Sequence, residues 1–143
     1  MLNKKVNFKM FACVAMCAVM MAGIGSCKQP PEEPPKDPRE DFVGSFRTNM
    51  EWVEGSSVKV TTYTLTITKS ATNANDIIMA NINGWGESVR ATVNGNAFTI
   101  PQQTILQYGI SGSGTLNGNV LTFSTMETYS GGLTNTSQVA TKQ

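Results

Sequence analysis

No histidine occurs in the 143 residues, and the three cysteines, Cys13, Cys17 and Cys27, all lie near the start of the chain. Without imidazole there is no Ser-His-Asp or Cys-His nucleophile system and no histidine-based zinc site. Beyond Cys27 there is no thiol, so the rest of the chain holds no disulfide and must be stabilised by its core alone. Charge is scarce as well. Across residues 42–143 five cations (Arg47, Lys59, Lys69, Arg90, Lys142) balance five acids (Glu51, Glu54, Asp76, Glu87, Glu127). That balance leaves no basic patch for nucleic acid and no acidic block for calcium. Glycoside hydrolysis needs two carboxylates facing across a cleft, for which Glu51 and Glu87 are the available pair, and no spacing marks a Ser-Lys nucleophile. The expectation is a non-catalytic domain with no metal and no cofactor.

The one long apolar run is Met10–Ile24, preceded by Lys4, Lys5 and Lys9. Fifteen residues suit a secretory h-region and are too few to cross a bilayer as a permanent helix. The run ends in Ile24-Gly25-Ser26-Cys27, an aliphatic residue, two small residues and a cysteine. This tetrapeptide resembles the signal-peptidase box of bacterial lipoproteins. The resemblance implies removal of residues 1–26, a diacylglycerol thioether and usually an N-acyl chain on Cys27, and a membrane as partner through that anchor. It places the protein in the cell envelope, on an outer-membrane lipid anchor. One acyl chain binds marginally, and two or three hold stably. Removal takes three of the eleven cations and leaves eight against ten acids, a net charge of −2.

Five of the six prolines fall between Lys28 and Asp41 (Pro30, Pro31, Pro34, Pro35, Pro38), among alternating charges. Such a segment buries little apolar surface and is expected to be an extended spacer reaching on the order of 40 Å at ~3.1 Å per residue. Glu32 and Glu33 behind the anchor resemble the surface-export signals of Bacteroidetes lipoproteins. The chain thus divides into a removed leader (1–26), a lipidated cysteine with its linker (27–41) and one domain (42–143).

That domain carries seventeen Thr, ten Ser and ten Asn, the neutral polar surface of a β-protein. Tyr63, Leu65 and Ile67 alternate with threonines, and Val89, Ala91 and Val93 alternate with polar residues. Leu106, Tyr108, Ile110, Gly112, Gly114 and Leu116 share one face of a longer strand. Asn83-Gly84, Asn94-Gly95 and Asn117-Gly118 predict type I′ hairpin turns, and Glu54-Gly55 and Gly131-Gly132 further turns. Val93–Ile100 recurs in residue type at Leu116–Phe123, one hairpin used twice. About eight strands begin near Gly44, Val58, Ile77, Glu87, Ala97, Thr104, Asn119 and Gln138, and Pro101 is expected to end the fifth. Gly109, Gly112 and Gly114 suit either a barrel corner or a flexible loop. Short connections throughout favour an all-β, up-and-down antiparallel meander closing into a small barrel, with a β-sandwich as the alternative.

Phe42-Val43-Gly44-Ser45-Phe46 is similar to the Gly-x-Trp element opening the first strand of lipocalins. Ile100-Pro101-Gln102-Gln103, Gly112-Ser113-Gly114 and Asn117-Gly118-Asn119 resemble later turns of bacterial forms. On these residues the domain resembles the small lipocalin-like (calycin-like) lipoproteins of Bacteroidetes. Phe46 stands in place of the usual tryptophan, and Lys142 is the nearest last-strand cation to lie over it. The resemblance implies a small apolar ligand, with candidate lining residues Tyr63, Leu65, Ile67, Ile78, Ile82, Leu106, Tyr108, Ile110 and Phe123. The competing reading makes all of them ordinary core. A second function class is a surface carbohydrate-binding or adhesion module, with Trp52, Trp85 and Tyr129 as stacking residues for a glycan.

Overall fold

The computed structural model describes residues 34–143. The cleavage box Ile24–Cys27 and the lipidation site lie outside the described residues. Eight antiparallel strands follow one another around a closed barrel: β1 (Gly44–Glu54), β2 (Ser57–Lys69), β3 (Asp76–Ala80), β4 (Ser88–Asn94), β5 (Ala97–Ile105), β6 (Tyr108–Asn117), β7 (Val120–Tyr129) and β8 (Gly132–Lys142). Pairing of β1 with β8, from Phe46↔Lys142 to Trp52↔Thr136, closes the ring and rules out the sandwich. Strands enclose a core by alternation: Phe46, Leu65, Ile67, Ile77, Met79, Phe98, Ile110, Leu121 and Phe123 point inward and are buried.

The two ends of the barrel differ. At one end a 3-10 turn, η1 (Pro38–Asp41), carries the chain in, and Phe42 plugs the barrel edge-on against Phe98, centroids 6.0 Å apart. Arg39 pins this cap by pairing with Asp37 and donating to the carbonyls of Ser70 at 3.3 Å and Asn73 at 3.0 Å. Composition assigns Asp37–Asp41 to the linker, yet these residues are docked on the barrel. Lys142 Nζ lies 5.7 Å from the centroid of the Phe46 ring and donates to the Asp41 carbonyl at 3.0 Å. The last-strand cation over the first-strand aromatic is therefore present, as lysine over phenylalanine. At the other end the β1–β2, β5–β6 and β7–β8 hairpins and a second 3-10 turn, η2 (Ile82–Gly84), surround an open mouth.

Several boundaries differ from the sequence expectation. Three of the five two-residue corners are Gly55-Ser56, Gly95-Asn96 and Gly118-Asn119, with φ of +61°, +61° and +57° at the glycines and no positive φ at the second corner residue. This is the II′ pattern, which needs glycine first, so each asparagine preceding a glycine closes its strand instead of turning. Asn83-Gly84 is no hairpin corner but part of η2. Pro101 does not end β5: the β5–β6 register shifts between Ile100 and Gln103, and β4–β5 pairing stops at Thr99. The missing proline N–H therefore falls in a gap, which the Gln103 amide fills by accepting from Arg90 N–H at 3.0 Å and donating to Arg90 C=O at 2.7 Å. Accordingly β6 begins at Tyr108, not near Thr104. Strand β8 begins at Gly132, well before Gln138, because its inward residues Thr134 and Thr136 are polar and show no hydrophobic alternation.

The β4–β5 and β6–β7 hairpins are the two copies of the internal repeat, with Asn94↔Ala97 matching Asn117↔Val120. Gly112 and Gly114 sit in regular strand and let β7 and the Phe98 ring approach closely. A Cβ at Gly114 would lie 2.6 Å from the Thr122 carbonyl oxygen and 2.8 Å from the Phe98 ring. Gly114→Ala is accordingly expected to destabilise the domain by about 1–3 kcal/mol, the usual range for overpacking a close-packed core. Urea unfolding measures this, and an unchanged midpoint would show that the contact is not tight.

Candidate functional site

The open mouth leads into a cavity of about 870 Å³. Its walls are aromatic. Trp85, which follows η2, packs on Tyr108 at the start of β6, centroids 5.4 Å apart and tilted by 38°. Tyr108 in turn meets Tyr129, at the end of β7, at 6.2 Å and 62°. Trp52 on β1 lines the same cavity, so both tryptophans of the chain face one space. The rim is apolar and wet: Val53, Leu106, Leu133 and Tyr129 at the hairpin tips are 45–67 % exposed.

Below the aromatic layer the barrel interior turns polar. Asn83, Thr125, Glu127, Thr136 and Gln138 are all buried, where the strand alternation elsewhere places aliphatics. They form one hydrogen-bonded network. Tyr63 O–H donates to Gln138 Oε1 at 2.5 Å, Gln138 Nε2 donates to Asn83 Oδ1 at 2.7 Å, and Asn83 Nδ2 donates to Glu127 Oε1 at 2.5 Å. Thr125 Oγ1 also donates to Glu127 Oε1, at 3.1 Å, and lies 2.7 Å from Thr136 Oγ1. Donors thus converge on one carboxylate oxygen. The other, Oε2, receives no donor among the described residues, and Glu127 lines the cavity. Burial pushes the Glu127 carboxyl above its ordinary value, with the Thr125 hydrogen bond opposing. Burial likewise raises the Tyr63 phenol. The Thr48 hydroxyl, wholly buried one strand away, has no hydrogen-bond partner among the described residues.

The backbone is bent to build this floor. Asn81 and Asn83 have φ of +63° and +54°, unusual outside glycine. Asn81 is held there by donating to Thr64 C=O and accepting from Gly86 N–H, both at 2.8 Å. The result aims the Asn83 side chain into the barrel. Leu106 is also left-handed, at φ +54°, on the corner of the β5–β6 hairpin. Such strain concentrates where geometry serves a site.

The structure sorts the candidate residues by where they stand around the cavity. Leu65, Ile67, Ile82, Ile110 and Phe123 are sealed in the core and do not line the cavity. Ile78 faces outward, since Ile77 and Met79 take the inward positions of β3. Leu106 sits on the β5–β6 turn and not on the β6 face, and from there it lines the cavity at its rim. Tyr108 lines the cavity, and Tyr63 lies beneath it as a donor in the polar floor. Trp52, Trp85 and Tyr129 do come together, as walls of a concavity and not as a flat platform. Nothing in the local sequence marks Thr125, Glu127, Thr136 and Gln138 as parts of a site, and Asn83 reads there only as a turn residue. The period-two continuation from Leu121 and Phe123 to Thr125 and Glu127 was the signal available for the β7 pair. Among the described residues no group of three or more His, Cys, Asp or Glu converges as a metal site, and no helix is long and apolar enough to cross a membrane.

No protein-family model matches the chain, and no curated protein matches its sequence. Among solved structures, the chain is similar to a protein of unknown function from the DUF3598 family of Nostoc punctiforme, at 13 % identity and a TM-score of 0.52. The likeness covers 82 % of this chain and 53 % of that one, so the chain spans about half the length of the protein it matches. At that identity the comparison speaks for the fold alone.

Proposed function

We propose that this chain is a lipid-anchored, non-catalytic envelope protein whose barrel mouth binds one small amphipathic molecule. The observation that carries the binding reading is the cavity of about 870 Å³, with aromatic walls and a buried polar floor at one end of an otherwise packed barrel. Cavities of 300–1,000 Å³ are typical of small-molecule sites. An apolar body fits against Trp52, Trp85 and Tyr108, and a polar end reaches Glu127. The ligand position therefore lies above the sealed aliphatic core, not within it. A glycan on an exposed platform is less well supported, because Trp52 and Trp85 are half-buried and Trp85 is engaged by Tyr108.

A second support is energetic. Glu127 is 8 % exposed and faces no cation among the described residues. Its surroundings are Asn83 from η2, Thr125 from β7, Thr136 and Gln138 from β8 and Tyr63 from β2, none charged at neutral pH. A buried lone carboxylate weakens a fold, and such perturbed groups cluster at functional sites. Its raised pKa means that the folded state keeps the proton to higher pH than the unfolded chain does. The penalty is absent below the ordinary glutamate value of 4.5 and grows as pH rises through the folded-state value.

Three outcomes are expected. In ligand-free protein Glu127→Gln should raise Tm by a few degrees at neutral pH, and the gain should vanish in acid below the ordinary glutamate range. A gain that persists in acid would mean the carboxylate charge is not its source. Native mass spectrometry of gently purified protein should show a co-purifying small molecule that is lost in Trp85→Ala; a consistently empty wild-type protein would sink the binding reading. Cys27→Ala should move the protein from the membrane to the soluble fraction on cell fractionation, and retention at the wild-type level would remove the anchor.

A further inference from the structure

We infer that the mouth selects an organic cation, an ammonium or quaternary ammonium group on a small apolar body, seated between Glu127 and the Trp85–Tyr108–Tyr129 walls. This deepens the ligand-binding reading and rests on it.

Charge comes first. The residues lining the cavity include two acids, Glu54 and Glu127, and no lysine or arginine. Glu54 is at the wet rim and has Lys59 at 3.9 Å, an exposed pair of small weight. Glu127 is different: more than nine-tenths buried, with Oε1 taking both protein donors and Oε2 left to the cavity. An unpaired buried carboxylate is one of the most costly groups a protein interior can hold, and a cation is the partner that relieves it most. An anion is repelled here, and a neutral hydroxyl satisfies one hydrogen bond without compensating the charge.

The rings stand where a bound cation needs them. Tyr129 is two residues beyond Glu127 on β7, on the same face, about 7 Å along the strand. Ile110 pairs with Glu127, and Tyr108 is two residues from Ile110 on the same face of β6, so Tyr108 stands at the height of Tyr129. Trp85 flanks Tyr108 from the η2 side. With interplanar angles of 38° and 62°, the three rings form a curved wall and not a parallel stack. A cation attracts ring faces within about 6 Å of their centroids, and this attraction strengthens when water is excluded. A group placed just above Oε2 lies between the carboxylate and the level of Tyr108 and Tyr129, with Trp85 beside them. The polar network beneath fixes the carboxylate through Asn83 and Thr125, so the site is built before the ligand arrives.

The test uses a matched pair of probes, choline and its uncharged tert-butyl isostere, titrated into ligand-free protein. Both tryptophans line the cavity, so intrinsic fluorescence reports on this site, and calorimetry checks the affinity. Choline is expected to bind at least about tenfold tighter than the isostere. Glu127→Gln should remove that preference by lowering choline affinity to about that of the isostere, and Tyr129→Leu, at a 45 % exposed position, should weaken choline more than the isostere. Near-UV circular dichroism verifies that each variant is folded. Equal or tighter binding of the isostere overturns the cation selectivity and leaves a neutral-ligand site standing. Absence of any response to either probe overturns the selectivity and counts against the binding reading as well.

Discussion

Closure of the ring by β1 against β8 is the constraint on which everything else in this domain rests. A sheet of this size with open edges would expose two rows of unpaired backbone groups, and the chain has few charges with which to guard them. The register of that closure matters as much as its existence. Met50 stands opposite Gln138 and Trp52 opposite Thr136, so the polar residues of β8 point inward at the same height as those of β7. A slip by one residue would turn Thr136, Gln138 and Ala140 to solvent and dissolve both the floor and part of the core.

The interior is layered along the barrel axis. Phe42, Phe46, Phe98, Leu121 and Phe123 fill the capped end, where Gly114 removes a side chain so that Phe98 fits. Next comes the Asn83–Glu127–Gln138 network, and above it the aromatic walls. Hydrophobic burial in the lower layers supplies the stability that lets the upper layers carry a buried carboxylate and two left-handed asparagines. Local rules are broken together at one end, and kept elsewhere, which is the pattern of a site superimposed on a fold.

The barrel was legible because its signals are strictly local. Tyr63-Leu65-Ile67 and Val89-Ala91-Val93 alternate cleanly, and the Asn-Gly pairs at 94–95 and 117–118 mark the strand ends to within one residue. The polar floor was much less so. Gln138 reads only as the start of the last strand and Thr134 and Thr136 carry no strand signal, since alternation reveals which residues share a face but not which face is inward when that face is polar. Asn83 reads as a hairpin turn, because its inward role depends on a left-handed backbone at Asn81 and Asn83, with Asn81 anchored to the Thr64 carbonyl across the sheet. Trp52, Trp85 and Tyr129 were picked out for their chemistry, but only β-hairpin geometry brings 52, 85 and 129 to one rim.

The capped end has a mechanical consequence. Both the incoming chain at Pro34 and the outgoing Gln143, whose N–H bonds to Ser45 C=O at 2.9 Å, lie at the end opposite the mouth. Tension applied through the residues before Pro34 falls first on Arg39 and Phe42, which hold a single turn, and only then on a strand ladder. Peeling Asp37–Val43 would pay out about 20 Å of extended chain, so the cap yields to a tug or a shear while the mouth keeps its shape.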